Sequence, residues 1–386
     1  MDIKKIIDSE KLVTWRRHFH MYPEVSFKEF ESTKYIVSQL EQYPDVEILR
    51  PTKTGVVGVL KGGLPGKTIG LRADFDALPI TEETDFEFKS KNPGAMHACG
   101  HDCHAAMLLG AVDALYQIKD KMPGTVKFIF QHAEELPPGG AIEIVKSGVL
   151  DDVDAFYGSH VAISDPVGVV KTAAGPMYAH TDTFKINIKG KGCHAARPDS
   201  GIDSLLIGLE VVQSLNYIVS RNVPASEPAV LTVGAFNAGT VANIVPDTAE
   251  IKGTVRTYNS DVRNMIVQRV KDLAEGICKA YGATCTVEFV QGYAAVVNDE
   301  GLYKFFNKIA LETLPDIEIA EMKPIMGGED FSAYKAIAPS FFSGIGARPE
   351  GDEVYPNHHP KTQLNEACLP IGCALYVAFA LKIGAL

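Results

Sequence analysis

The hydrophobic positions in the first part of the chain alternate between helical spacing and short continuous runs. Apolar residues recur with helical spacing over about 9–43, interrupted at Pro23, and again over 102–119. The short runs predict strands: VVGVLKG at 56–62, TIGLRADF at 68–75, TVKFIFQ at 125–131 and DAFYGSHV at 154–161. A GGLPGK turn joins the first two runs and predicts a hairpin. The succession of strands and helices predicts an α/β sheet covered by helices on both faces.

The middle of the chain has a different order of predicted strands and helices. Strand-like and helix-like segments follow one another there: 184–190 (strand), 201–221 (helix), 229–236 and 249–258 (strands), 260–281 (helix) and 284–292 (strand). This β-α-β-β-α-β order is that of a ferredoxin-like split unit. Because the unit is complete in itself, we interpret 179–293 as an inserted domain. The first domain is then built from 1–178 and 294–386, and it ends in an apolar helix near 366–383.

Composition and charge narrow the class of protein. A length of 386 residues with 46% hydrophobic and 22% charged residues is typical of a globular protein with about two or three domains. The net charge of −11 argues against a nucleic-acid partner, because phosphate binding requires a basic surface. We expect no membrane span, because no stretch approaches about 18 consecutive apolar residues. The charged N-terminus and the odd number of scattered cysteines (seven) favour a reducing, cytoplasmic location.

A dense cluster of ionisable side chains occurs at HACGHDCH, residues 97–104, with histidine, cysteine and aspartate in six of its eight positions. Imidazole, thiolate and carboxylate are the side chains that bind first-row metals. A purely structural cluster is disfavoured, because buried ionisable groups this close together repel one another or require partners. The cluster therefore predicts a metal site.

Further candidates stand where the predicted strands end. Asp74 and Asp76 lie at the C-terminal edge of the run at 68–75, Glu134 and Glu135 follow 125–131, and His160 lies near the end of 154–161. Sites in α/β sheets form beyond the carboxyl ends of the strands, so we expect these side chains to share one site. A spare carboxylate beside metal ligands is the general base that metal-assisted hydrolysis requires.

Eight motifs between residues 72 and 361 resemble, in order, those of the M20 metallopeptidase family: RADFDALP, MHACGHDCHAA, QHAEE, YGSHV, KGCHAARP, NIVPDTAEIKGTVRT, MGGEDFS and NHHPK. Within that family they are most similar to the amidohydrolase branch, which includes N-acyl-amino-acid, hippurate and auxin-conjugate hydrolases. The resemblance implies a zinc-peptidase-like α/β catalytic domain, a smaller lid domain that commonly dimerises, and two divalent metals. A homodimer formed through the lid is the expected assembly.

The resemblance also implies roles for individual residues. The metal ligands would be Cys99 as the bridge between the ions, His101 and His160 on one ion, and Glu135 and His358 on the other. Glu134 would be the general base, and Asp76 would orient a ligand histidine. In the lid, His194 and Asn243 resemble substrate-polarising residues, and Arg256 is a candidate for binding the substrate carboxylate.

Two assignments stay open at this point. His359 is adjacent to His358, so either could be the ligand, although the family pattern favours His358. His104 lies about one helical turn after His101 and could face the same site, but we expect it to support a ligand instead. Asp74 is expected to be structural.

The predicted function is hydrolysis of the amide bond of N-acyl amino acids by water that two divalent metals activate. A thiolate bridge is compatible with zinc, manganese, cobalt or nickel, and not with magnesium or calcium alone. One alternative is an aminopeptidase or dipeptidase of the same family, which would need an acidic residue near the substrate amine. A non-catalytic metal-binding protein is disfavoured by the presence of Glu134, and a thiol hydrolase using Cys99 and His101 fits the surrounding carboxylates poorly.

Overall fold

The chain is described by a computed structural model over residues 2–351 and 353–386. The strands are β1 (Val46–Leu49), β2 (Val56–Lys61), β3 (Leu64–Asp74), β4 (Pro123–Gln131), β5 (Ala155–Ala162), β6 (Val169–Thr172), β7 (Gly175–Tyr178), β8 (His180–Lys189), β9 (Cys193–His194), β10 (Ala229–Ala238), β11 (Ile244–Val245), β12 (Thr248–Thr257), β13 (Thr284–Gln291), β14 (Val296–Asn298), β15 (Glu318–Glu321) and β16 (Ser340–Gly346). The α-helices are α1 (Ser9–Met21), α2 (Phe30–Leu40), α3 (His101–Gln117), α4 (Gly140–Lys146), α5 (Ser204–Asn222), α6 (Ser260–Ala280), α7 (Glu300–Thr313) and α8 (Leu369–Gly384).

These elements form two compact units. The first comprises Met1–Met177, Val297–Pro324 and Asp330–Leu386, and the second comprises Tyr178–Val296 and Ile325–Glu329. The short segment Ile325–Glu329 therefore differs from the sequence-based division, which placed it in the first domain. Its backbone joins the second unit, because the N–H group of Ala179 donates to the carbonyl of Gly327 at 2.9 Å.

The first unit is built on an eight-stranded mixed sheet of order β1-β2-β4-β3-β5-β16-β6-β15. The predicted hairpin between 56–62 and 68–75 is wrong, because β4 lies between β2 and β3 and pairs with both. The GGLPGK segment passes around the start of β4 instead of turning tightly. Gly62 donates to the carbonyl of Gly124 at 2.8 Å, and a Cβ on Gly62 would lie 2.1 Å from the Met122 carbonyl oxygen.

Parallel pairing in the centre of this sheet aligns the strand ends that carry the candidate site. Strand β3 pairs in parallel with β4 and with β5, and β5 pairs in parallel with β16. The carboxyl ends of β3, β4 and β5 consequently meet at one edge of the sheet. The predicted α/β class is confirmed.

The second unit is a four-stranded antiparallel sheet of order β10-β12-β8-β13 with α5 and α6 packed against it. Alternate residues of β8 are buried, as expected for a strand with one face on a core. Those inner residues meet the apolar sides of the helices in a core that includes Ile186, Ile188, Val211, Leu215, Ile251, Ile266 and Val270. The order β-α-β-β-α-β confirms the predicted ferredoxin-like unit.

The C-terminal helix is a core element of the first unit. By length and apolar composition alone, Glu366–Gly384 is a candidate membrane span, but 72% of its most apolar 18-residue window is buried inside the structure. Its residues include Tyr376 and Phe379, which are fully buried and whose rings both pack against Tyr157. Internal packing therefore accounts for its apolar sequence.

Truncation of this aromatic core should destabilise the first unit. Phe306 is fully buried, and its ring centroid lies 4.5 Å from that of Phe341. We expect Phe306→Ala to lower the free energy of unfolding by about 3–5 kcal/mol. Urea denaturation followed by the fluorescence of Trp15, the single tryptophan, measures this change. The control is Phe30→Ala, whose ring is 49% exposed, and equal losses in both variants would contradict the packing described.

Candidate active site

The carboxylate of Asp76 connects three segments at the edge of the sheet. Its Oδ1 and its backbone carbonyl lie 3.1 and 3.0 Å from Nδ1 of His101. Its Oδ2 accepts from the Ser26 hydroxyl at 2.7 Å and from the Glu135 N–H group at 3.0 Å. A histidine whose Nδ1 donates in this way presents the lone pair of Nε2 on its other side. Asp76 therefore orients His101 and fixes the backbone of Glu135.

The structure brings together all five residues that the resemblance implies as metal ligands. They form two triads that share one thiol: Cys99, His101 and His160, and Cys99, Glu135 and His358. In each triad the ligand atoms all lie within 4.8 Å of one another. The Sγ atom of Cys99 is 3.3 Å from Nε2 of His160, and Nε2 of His358 is 3.2 Å from Oε1 of Glu135.

The donor atoms are suited to a pair of divalent cations. Nε2 of His101 is buried without a hydrogen-bond partner among the described residues, and Oε1 of Glu135 has no hydrogen bond of good geometry there, with Nε2 of His358 as its neighbour at 3.2 Å. Such an unpaired buried polar atom costs about 1–3 kcal/mol, which a bound cation would offset. His160 donates through Nδ1 to the Val161 carbonyl at 2.8 Å, so its Nε2 also presents a lone pair. Imidazole, thiol and carboxylate donors together are typical of zinc and similar first-row ions.

A bound cation would change the protonation states of the cluster. Burial and the charge of Glu135 raise the pKa of the Cys99 thiol to about 12. Burial and the charges of His104 and His101 lower the pKa of His160 to about 3. Burial opposes protonation of His101 too, but Asp74 and Cys99 outweigh it and raise its pKa well above the usual value. A divalent cation favours thiolate and neutral imidazole, so its binding releases protons and strengthens as the pH rises.

His104 has no lone pair left for a metal. Its Nδ1 lies 2.5 Å from Oδ1 of Asp74, and its Nε2 accepts from the Val161 N–H group at 2.9 Å. The other carboxylate oxygen of Asp74 accepts from the Arg72 guanidinium at 2.8 Å. Burial opposes ionisation of Asp74, but the charges of Arg72, His101 and His104 hold its pKa well below the usual value. His104 and Asp74 thus support the ligand-bearing backbone.

A buried polar network that sequence reasoning missed lies behind these residues. The Arg72 guanidinium is fully buried and donates to Gln131 Oε1 and Asp330 Oδ1, each at 2.8 Å. Gln131 also accepts from the Tyr334 hydroxyl at 3.0 Å. Because loss of one partner would leave a buried charge uncompensated, this network fixes the end of β4 strongly.

The geometry distinguishes the two adjacent histidines. The His358 N–H group donates to the Ala98 carbonyl at 2.8 Å, and the residue has a positive φ of 67°. Its imidazole thereby reaches Glu135. His359 instead accepts at Nδ1 from the Lys361 N–H group at 3.1 Å. Its ring stacks on Tyr355 with centroids 4.5 Å apart.

Two further residues border the cluster. Glu134 is 8% exposed, and a carboxylate oxygen of this residue lies within 4.8 Å of potential ligand atoms of His101 and Glu135. Nδ2 of Asn357 lies 3.7 Å from Sγ of Cys99. Sequence reasoning missed Asn357, although its position next to His358 was an available signal.

The three candidate substrate residues lie in the second unit. His194 on β9 pairs with Ile244 on β11, and the Ala195 N–H group donates to the carbonyl of Asn243 at 3.1 Å. Asn243 therefore lies across the ribbon from Ala195, the residue after His194, and both His194 and Asn243 are exposed. Arg256 lies on β12, in the other sheet of this unit, where its guanidinium donates to the Val255 carbonyl at 3.0 Å.

An α/β unit with clustered histidine, cysteine and carboxylate donors beside a further glutamate has the composition of a dinuclear metallohydrolase. The sequence profile of peptidase family M20/M25/M40 matches residues 70–382, and the chain belongs to that family. It is accordingly a hydrolase that acts on amide bonds.

Individual relatives refine the comparison. The chain is 46% identical over 303 residues to an N-acyl-L-amino acid amidohydrolase of Geobacillus stearothermophilus, covering 78% of this chain and 82% of the relative. It is 39% identical to an N-acetylcysteine deacetylase of Bacillus subtilis, covering 97% of each. Its structure is similar to that of a dinuclear metal-binding M20 peptidase of Bacillus subtilis, with a TM-score of 0.86, 35% identity and coverage of 97% and 98%.

The two histidines of the NHHP turn provide a matched test of the metal site. We expect His358→Ala to lower the amount of bound divalent metal, because it removes a donor 3.2 Å from Glu135. His359→Ala should retain the metal, since that ring stacks on Tyr355. Elemental analysis after dialysis measures both variants. A larger metal loss in His359→Ala than in His358→Ala would show that the wrong histidine has been assigned.

Proposed function

We propose that this chain is a metal-dependent amidohydrolase that cleaves N-acyl amino acids, with acetyl or aromatic acyl groups, to a carboxylic acid and a free amino acid. The observation that carries the proposal is the pair of donor triads that share Cys99, with the Glu134 carboxylate beside them. The names of the two curated relatives support the substrate class.

The residues that would hold the metals follow from the triads. Cys99 would bridge two ions, with His101 and His160 on one and Glu135 and His358 on the other. The donor set, with a thiolate bridge, is compatible with zinc, manganese, cobalt or nickel. When bound, the ions supply Lewis acidity and lower the pKa of water at the site.

Glu134 is assigned the proton transfers. Its carboxylate accepts a proton from the water that attacks the acyl carbonyl and then donates that proton to the amide nitrogen, so that the amine leaves neutral. Asp76 contributes by holding Nδ1 of His101, which keeps the Nε2 lone pair of that ring directed at the donor cluster.

The second unit is assigned substrate recognition. Nδ1 of His194 accepts from the Ala196 N–H group at 3.0 Å, so the ring proton is on Nε2, where it can donate to the developing oxyanion. Asn243, in the same ribbon, would assist in polarising the carbonyl, and Arg256 would bind the substrate carboxylate. These three roles rest on the family resemblance, and the backbone bond from Ala195 to Asn243 supports the common location of His194 and Asn243 in one ribbon.

A homodimer formed through the second unit and a cytoplasmic location complete the proposal. Three large apolar side chains lie exposed along α5, which supports an interface there: Leu206 at 61%, Leu209 at 48% and Tyr217 at 56%. Their spacing of three and eight residues places them on one side of the helix. Exposed apolar surface of this kind marks association sites.

The catalytic assignment is tested with the metal-reconstituted protein on a substrate panel. We expect higher kcat/KM for N-acetyl amino acids and hippurate than for dipeptides with a free amino terminus. Glu134→Gln should retain the metal but lose on the order of 10²–10⁴ in kcat, because the amide keeps the shape and cannot accept the proton. Preference for free-amino dipeptides would favour the aminopeptidase alternative. Full activity of Glu134→Gln, with the metal present, would exclude Glu134 as the base.

The dimer is tested by placing a charge on the exposed side of α5. We expect the wild-type protein to sediment as a dimer and Leu209→Glu to sediment as a monomer, because the charge would be buried unpaired in the interface. Leu311→Glu is the control, since Leu311 is also exposed, at 45%, and lies on α7 of the first unit. A monomeric wild type, or dissociation by Leu311→Glu, would contradict this interface.

A further inference from the structure

Strained backbone positions are concentrated around the donor cluster. In the part of the chain that the structure describes, the non-glycine residues with positive φ are Phe27 (65°), Ala133 (50°) and His358 (67°). This conformation is unfavourable for a residue with a Cβ and persists only when the surroundings hold it. Phe27 and Ala133 donate their N–H groups to the same oxygen, Oε1 of Glu29, each at 2.9 Å.

Ala133 directly precedes the two glutamates of the candidate site. The residue is fully buried, and its peptide groups are held on both sides. Its N–H group donates to Glu29, and its carbonyl accepts from the Gly140 N–H group at 3.1 Å. The direction in which the chain leaves Ala133 sets where the Glu134 and Glu135 side chains point.

We propose that Glu29 is a positioning residue that holds Ala133 in its left-handed conformation and thereby directs Glu134 toward the substrate carbonyl. This inference rests on the proposed function, in which Glu134 is the general base. It identifies a residue far from the metal-binding motifs in sequence as a determinant of catalytic geometry.

Helix capping does not explain this carboxylate. Glu29 immediately precedes α2, but its side chain makes no capping hydrogen bond to that helix. The carboxylate of Glu24 takes that place, since it accepts from the Ser32 N–H group at 2.7 Å. Glu29 is fully buried, and its Oε1 accepts from the two loop N–H groups. Burial and the nearby charge of Asp76 raise the pKa of its carboxyl to about 7, so this contact is kept at an energetic cost that helix capping would not require.

The segment that carries Glu29 supports the site at a second point. Ser26, three residues earlier, donates to Oδ2 of Asp76 at 2.7 Å, and the same oxygen accepts from the Glu135 N–H group. The loop at 26–29 therefore contacts both the residue before Glu134 and the carboxylate that orients His101. Through these two contacts the loop helps to fix the positions of Glu134 and His101.

A rescue experiment separates positioning from general stabilisation. Glu29→Ala should lower kcat on the order of 10- to 100-fold with little change in KM, the scale of a small misplacement of a catalytic group. Glu29→Gln should retain most of the activity, because it keeps an oxygen acceptor for the Ala133 N–H group. Adding Ala133→Gly to Glu29→Ala should restore most of kcat, because glycine adopts positive φ without a penalty that is worth on the order of 5- to 30-fold for other residues.

Matched variants control for folding. Glu24→Ala removes a contact to α2 and none to Ala133, so its kcat should stay near that of the wild type. If Glu29→Ala does not fold, Glu29→Asp is tested instead, again with and without Ala133→Gly. The aspartate side chain is shorter by one methylene, so its oxygen lies farther from the Ala133 N–H group. Metal content and the thermal midpoint are measured for every variant.

Three outcomes decide the inference. Recovery of kcat by Ala133→Gly in the Glu29 variant supports it. Full kcat in Glu29→Ala, or a loss that the glycine does not recover, overturns it. An inactive Glu134→Gln together with a fully active Glu29→Ala would refute only the positioning role, whereas an active Glu134→Gln would refute the proposed base itself.

Discussion

The buried carboxylate of Asp76 is the interaction on which the candidate site depends. It is 1% exposed, and a buried charge is costly unless it is hydrogen-bonded. Both of its carboxylate oxygens have hydrogen-bond partners. Burial opposes its ionisation, but the hydrogen bond and the charge of His101, followed by the Glu135 N–H and Ser26 bonds, lower its pKa below the usual value. One group thus holds the end of β3, the start of α3 and the loop after β4 in a single arrangement.

This arrangement concentrates donors before any metal is bound. The parallel strands bring their ends to one edge, Asp76 aligns His101, and Glu29 fixes the turn before Glu134. The buried Nε2 atom of His101, which has no hydrogen-bond partner among the described residues, is an energetic cost in the protein alone. A divalent cation turns that cost into binding energy, so folding stability and metal affinity are linked at this edge of the sheet.

The sequence was sufficient for the features that depend on local pattern or motif. Apolar runs located the strands, and the rule that sites form beyond strand ends grouped Asp76 with Glu134 and His160. Features that depend on contacts between residues far apart in the sequence could not be predicted from local patterns. The hairpin prediction failed because β4 inserts between β2 and β3, and a lone glutamate such as Glu29 has no local signature of its contact with Ala133, 104 positions away.

The central claim is that two metals share the thiolate of Cys99, and X-ray absorption spectroscopy of the zinc-loaded protein tests it directly. The account predicts a sulfur scatterer at about 2.3 Å from zinc, with nitrogen and oxygen donors near 2.0–2.1 Å. It also predicts a second zinc at about 3.5–4 Å and loss of the sulfur signal in Cys99→Asp. A spectrum without sulfur, or with a single isolated zinc, would contradict the shared thiolate and the site built around it.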